Sequence, residues 1–217
     1  MSSINYLKRI LRSFRKEKRN PLEGDRAIEW SWVVENLPNT PSKILDFGCV
    51  GSVLTCISSR LGHTVTAIDL REIEYEMNDV KFIKQDFLTL DFGNDTFDII
   101  LNSSTIEHVG LPNRYGATEV KDGDIIAMGK LAGLLKENGK MILTIPVGID
   151  DIYTPLHRIY GMERLPLLLK SYRIIKEEFW FKNNAFKWVK CSKKTALNIK
   201  GSYNSYALGL FLLEKKL

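Results

Sequence analysis

Short apolar runs in the first half of this chain each end in residues that can hold a ligand. KILDF leads into Asp46-Phe47-Gly48-Cys49-Val50-Gly51-Ser52, and TVTAID ends at Asp69, which Leu70 follows. VKFIKQD ends at Asp86 before Phe87, and FDIILN leads into Asn102-Ser103. Glycines let backbone come close to a ligand, and the helix start beyond them offers free N–H groups to a carboxylate or phosphate. A carboxylate at Asp69 can accept both hydroxyls of a ribose, and one at Asp86 can accept from the exocyclic amine of adenine. A glycine turn alone carries little weight, because such turns also cap ordinary helices, and any single acid could be a cap or turn residue. Asp46, Asp69 and Asp86, spaced 23 and 17 residues apart at three successive run ends, together point to one crevice that grips a nucleoside.

Three histidines have the ordinary pKa for proton transfer near neutrality. His63 precedes TVTAID in a Leu-Gly-His turn, away from the run ends, and reads as structural. His108 follows FDIILN, in Ser104-Thr105-Ile106-Glu107-His108-Val109, and His157 lies in PVGIDDIYTPLHRIYG, a polar and aromatic loop. Both are on the side of the run ends. Glu107 and His108 can open a helix that lines the crevice without moving a proton, or one of them can act as base or substrate ligand. Arg26, in GDRAIEWSWV, can pair with a ligand carboxylate or form a solvent-facing i,i+3 ion pair with Glu29.

These residues need a scaffold that brings run ends together. Asp25–Leu37 is predicted as a helix with Ile28, Trp32, Val33 and Leu37 on one side and Asp25 as its cap. VLTCISSRLG is a second helix, ending at Gly62, and a third runs from about Asp124 to Leu135, stopping at an ENGK turn before the strand MILTIP. Strands alternating with helices predict βαβ units, right-handed crossovers and a mostly parallel sheet covered on both faces. In such a sheet a ligand sits beyond the carboxyl ends of the strands. The last third departs from this pattern. MERLPLLLKS reads as a short helix, and YRIIKEEFWF and YALGLFLLEKK as long strands, joined by a polar Lys-rich stretch, that can pair antiparallel.

Charge is unevenly placed. The net +5 comprises a head, residues 1–20, with seven Lys/Arg against one acid, an acidic middle, and residues 165–200 with nine basic residues against two acidic ones. This argues against a uniformly basic surface for nucleic acid. In the head, Ile4, Leu7, Ile10, Leu11 and Phe14 recur at helical spacing among the basic residues. Such a helix can lie on an anionic membrane surface, pack its stripe on the domain, or stay undocked. No apolar run reaches the roughly 18 residues of a membrane span, and the head lacks the apolar centre of a secretory signal. Cys49, Cys56 and Cys191 show no metal-like spacing and suit a reducing cytoplasm, with membrane association at its inner face if the head binds lipid.

On the Asp46–Ser52, Asp69 and Asp86 motifs, from about Arg26 to the C-terminus, the chain resembles class I S-adenosylmethionine-dependent methyltransferases. The resemblance implies an α/β, Rossmann-like, doubly wound seven-stranded sheet, mostly parallel with an antiparallel C-terminal strand. It makes residues 21–217 one methyltransferase domain behind the basic segment 1–20. It assigns Asp46, Gly48 and Gly51 to the methionine part of S-adenosylmethionine, with Arg26 at its carboxylate. Asp69 and Leu70 fall to the ribose, Asp86 and Phe87 to the adenine, and Asn102 and Ser103 to the neighbouring strand end. The family pattern D-x-G-x-G-x-G is altered here, since Val50 and Ser52 replace the later glycines. Ser104–Val109 resembles the I/L-E-H-V segment of ubiquinone-pathway O-methyltransferases. Some of those bind a divalent metal through E-x-x-E-H, but Ser104 stands in place of the first Glu, so no metal is expected. Transfer of a methyl group to a hydroxyl needs a base, for which His108 and His157 are candidates, with Glu107 beside them. The Ile106–Gly110 and Arg114–Gly116 segments resemble enzymes of surface-polysaccharide modification, which makes a glycan or other small molecule the expected acceptor. A nucleotide-dependent dehydrogenase would want G-x-G-x-x-G and leave Asp86 without a duty. A degenerate domain that binds cofactor or a partner without catalysis is the other alternative.

Overall fold

The computed structural model describes residues 22–73 and 79–216. The basic head lies outside them, and so does its expected membrane contact. In chain order the elements are α1 (Asp25–Asn36), β1 (Lys43–Phe47), α2 (Leu54–Arg60), β2 (Thr64–Asp69), β3 (Val80–Lys84) and β4 (Phe97–Ser103). Two 3-10 turns, Ile106–His108 and Arg114–Gly116, precede α3 (Gly123–Leu134), β5 (Leu135–Val147), β6 (Asp151–Tyr153) and β7 (His157–Ile159). The chain ends with α4 (Arg164–Leu168), β8 (Tyr172–Lys182), β9 (Trp188–Cys191), α5 (Lys193–Leu197) and β10 (Ala207–Lys215).

The main sheet has the order β3-β2-β1-β4-β5-β10-β8-β9, and β6 and β7 form a separate hairpin. The first five strands in this order pair in parallel, and the β5–β10, β10–β8 and β8–β9 pairs are antiparallel. This is the expected doubly wound architecture with an antiparallel C-terminal strand between β5 and β8. The sheet has eight strands rather than seven. The extra one, β9, comes from the Lys-rich stretch between the two long strands, where Trp188-Val189-Lys190-Cys191 pairs with β8. A second correction concerns α1. Gly24, with φ of 88°, occupies its N-cap, while Asp25 lies in the first turn and accepts the Arg26 N–H at 2.7 Å.

Alternation along the strands builds two cores. Ile44, Ile99, Leu101, Ile142, Leu208 and Leu210 pack beneath α1 and α2 with Trp32, Val33 and Leu54. Leu45, Phe47, Ile100, Leu143, Phe211 and Leu213 face the other way, against Met128 and Leu131 of α3, Leu165 and Leu168 of α4, and Leu197 of α5. Period-2 burial on both faces is what a sheet covered by helices on each side demands. β1 lies between β2 and β4, and the chain winds outward from it in both directions. The loops leaving β1 and β4 therefore diverge and leave a crevice at their carboxyl ends.

Candidate functional site

A cavity of about 270 Å³ opens at that switch point. Arg26, Gly48, Gly51, Asp69, Leu70, Asp86, Phe87, Ser103 and His108 line it, so most of the expected residues are brought together. Asp46, Asn102, Glu107 and His157 do not face it.

The turn after β1 shows why glycine stands at its first position. A Cβ on Gly48 would lie 2.2 Å from both Oγ1 and Cγ2 of Thr105, and its φ is +80°. Gly51 also has a positive φ, +88°, but a Cβ there would meet nothing within 4 Å. Val50 donates its backbone N–H to Asp69 Oδ2 at 2.9 Å. Asp69 Oδ1 accepts the N–H of Arg71 at 2.9 Å and its Nε at 3.2 Å. The Arg71 guanidinium also donates to the Val50 carbonyl at 2.5 Å and stacks 4.2 Å above the Tyr115 ring. Arg71 and Tyr115 line the cavity and were not anticipated. The available signal was the position of Arg71 two residues beyond Asp69, within reach of the same carboxylate.

At the end of β3, Asp86 Oδ1 accepts the Leu88 N–H at 2.9 Å, which fixes the carboxyl group at the rim. Phe87 is buried, 4.9 Å from Phe47. At the far end, Arg26 bonds Glu29 at 2.7 Å, as an i,i+3 pair should. Glu29 is fully buried, however, while the Arg26 side chain is 47% exposed, so only the guanidinium end of the pair meets solvent. Glu29 also accepts the Thr144 hydroxyl at 2.8 Å and the Ser104 hydroxyl, joining α1 to the ends of β4 and β5. Burial works against the Arg26 charge, but Glu29, Asp25 and Glu107 more than offset it and raise its pKa.

The four residues outside the cavity have other duties. Asp46 accepts the Thr55 hydroxyl at 2.5 Å and ties β1 to α2. Burial pushes its carboxyl pKa up to about 6, against the Thr55 bond and with help from the Asp69 charge. Asn102 accepts the Ile106 N–H at 3.2 Å and shapes the turn after β4. Glu107 is buried, with Oε1 3.8 Å from His108 Nε2. His157 is buried on β7, its ring 5.1 Å from that of Tyr206 and 5.7 Å from that of Tyr153. The expected docking loop around it pairs as the β6–β7 hairpin, with β7 buried and β6 largely exposed.

His108 has defined chemistry. Its Nδ1 lies 2.5 Å from the Leu156 carbonyl oxygen, which can only accept. Nδ1 therefore carries the hydrogen, and in the neutral ring Nε2 keeps its lone pair.

Residues 56–208 match the family described as "Caenorhabditis protein of unknown function, DUF268". The chain belongs to the DUF268 family. Among curated proteins, this DUF268 member is 33% identical over 92 residues to a ubiquinone biosynthesis O-methyltransferase of Bartonella tribocorum. That match spans 38% of the chain and 37% of the relative, well short of its full length. Among solved structures, the fold matches 1,6-didemethyltoxoflavin-N1-methyltransferase of Burkholderia thailandensis, with bound 1,6-didemethyltoxoflavin and S-adenosylhomocysteine. The TM-score is 0.61 at 16% identity, over 100% of this chain and 92% of that one. It also matches the N-methyltransferase NodS of Bradyrhizobium japonicum WM9 in complex with S-adenosylhomocysteine, with a TM-score of 0.56 at 13% identity over 94% and 92% of the two chains. At such identities the likeness establishes the shared Rossmann-like fold.

Proposed function

We propose that this protein is an S-adenosylmethionine-dependent methyltransferase that acts on an oxygen of a small-molecule acceptor, with a sugar or glycan hydroxyl as the class to test first. One observation carries the reading. Carboxylates from the ends of β2 and β3, Asp69 and Asp86, line a single cavity with the glycine turn that follows β1. The residues fit the cofactor, because Gly51 leaves open space where a side chain would otherwise project. When bound, S-adenosylmethionine supplies an electrophilic methyl on a sulfonium leaving group.

The chain's own residues would bind and orient. Asp69 would hold the ribose hydroxyls, Asp86 with Phe87 the adenine, and Arg26 the methionine carboxylate. An acceptor hydroxyl must lose its proton as its oxygen bonds to carbon, and His108, which lines the cavity, would take it at Nε2. Glu107 would favour the imidazolium so formed. The curated relatives' name, ubiquinone biosynthesis O-methyltransferase, supports oxygen as the acceptor atom.

Isothermal titration tests the reading. Micromolar binding of S-adenosylhomocysteine and S-adenosylmethionine, with none of NAD, is the expected result. Binding of NAD alone would move the protein to the dehydrogenases, and binding of none of the three would leave a degenerate domain.

A further inference from the structure

The turn that carries His108 is held by the β6–β7 hairpin at two places. Leu156, just before β7, accepts the His108 Nδ1–H. Two residues on, Arg158 Nη1 donates to the carbonyl of Val109 at 2.7 Å and to that of Glu107 at 3.4 Å, the residues on either side of His108. Arg158 is 4% exposed and its Nε lies 3.7 Å from Asp124 Oδ2. Asp124, fully buried in the first turn of α3, also takes two bonds from Arg164, at 2.9 and 2.6 Å, and one from the Tyr160 hydroxyl at 3.1 Å.

Neither Arg158 nor Asp124 faces the cavity. Burying a guanidinium is costly, and replacing such a pair with apolar residues often costs no stability. What an apolar residue could not do is grip two carbonyls that flank a third residue. We propose that Arg158 is a positioning residue. Anchored on Asp124, it clamps the Glu107 and Val109 carbonyls, keeps the His108 ring in register with Leu156, and so holds Nε2 as the proton-accepting nitrogen. This rests on His108 being the base of the proposed reaction. A base displaced by about 1 Å can lose on the order of 10²-fold in rate.

The test is read on the imidazole itself and needs no acceptor. Two-dimensional ¹H–¹⁵N spectra of the full chain report which ring nitrogen of His108 is protonated, with and without S-adenosylhomocysteine. The wild type should hold the Nδ1–H form. Arg158→Met should cut the ratio of the two tautomers roughly tenfold, the worth of one hydrogen bond. Arg158→Lys, still able to donate to Val109, should restore most of that ratio. Circular dichroism and the affinity for S-adenosylhomocysteine should stay within about twofold of wild type, which separates loss of register from loss of fold. An unchanged tautomer ratio in a folded Arg158→Met would overturn the proposal, as would an equal disturbance in Arg158→Lys and Arg158→Met. If the wild type binds no S-adenosylhomocysteine, the functional reading fails, and the tautomer comparison on the free chain still decides the role of Arg158.

Discussion

The Asp69 carboxylate accepts the Val50 N–H at 2.9 Å, so the acid at the end of β2 fastens the turn that leaves β1. The sequence pattern D-x-G-x-G-x-G would put a glycine at position 50. A valine occupies the position, but its backbone is anchored from the neighbouring strand, and Arg71 braces the same turn through the Val50 carbonyl. Asp69 therefore both shapes the turn and offers the cavity a carboxylate.

Asp69→Ala should weaken S-adenosylhomocysteine binding by about 2–3 kcal/mol, the scale of hydrogen bonds to a charged group. Asp69→Asn keeps one oxygen to accept from Val50 but turns the other position into a donor, and should fall between. Calorimetric Kd values for the three proteins check this. An Asp69→Ala protein that binds within threefold of wild type would remove Asp69 from the ribose site.

The two glycines of the β1 turn should respond differently to alanine. Gly51→Ala adds a Cβ into open space and faces only the strain of a positive φ, about 1–2 kcal/mol. Gly48→Ala faces the same strain and also drives its Cβ into Thr105, so it should cost at least 2 kcal/mol more in urea unfolding. Adding Thr105→Ala removes the two nearest atoms and should recover part of the difference. Equal losses from the two single substitutions would mean that the Thr105 contact relaxes freely.

The sheet was legible because apolar runs ending in Asp69, Asp86 and Ser103 alternate with helical stretches, and strand ends of a parallel sheet converge by topology. The direction a side chain takes at a strand end was not legible. Asp46 and Phe47 sit on opposite faces of β1, and Asp46 turns to Thr55 because α2 covers its side. Asn102 and Ser103 divide in the same way, one shaping a buried turn and one reaching the cavity. His157 looked available because PVGIDDIYTPLHRIYG reads as a loop, whereas β6 and β7 pair within it and bury the ring. Arg158 and Arg71 act on partners 49 and 21 residues away, a distance that helical or strand periodicity does not convey.

His108 and His157 should separate cleanly. His108→Gln should lower methyl transfer to a hydroxyl acceptor by 10²–10⁴-fold, the usual contribution of a general base, with little change in cofactor affinity. His157→Phe keeps the ring packing against Tyr153 and Tyr206 and should retain most of the activity. Steady-state kinetics across pH distinguishes the two, and the reverse ranking would shift the base to β7.

Asp46 should leave its mark on stability as a function of pH. Its carboxyl is fully buried, and burial raises its pKa from the ordinary 3.8 to about 6. Between these values the folded chain keeps a proton that the unfolded chain gives up. The stabilisation is thus complete below pH 4 and is lost as pH rises through 6. At 1.36 kcal/mol per unit the loss approaches 3 kcal/mol as an upper bound. Asp46→Asn cannot ionise but still accepts from Thr55, so it lacks this dependence. The other titrating groups are common to both proteins and cancel in the comparison. Urea unfolding at pH 4.5 and pH 7.5 should therefore find Asp46→Asn gaining on the wild type at the higher pH. A difference between the two proteins that does not vary with pH would mean that Asp46 is ionised in the folded chain throughout, with Thr55 and nearby backbone carrying the charge.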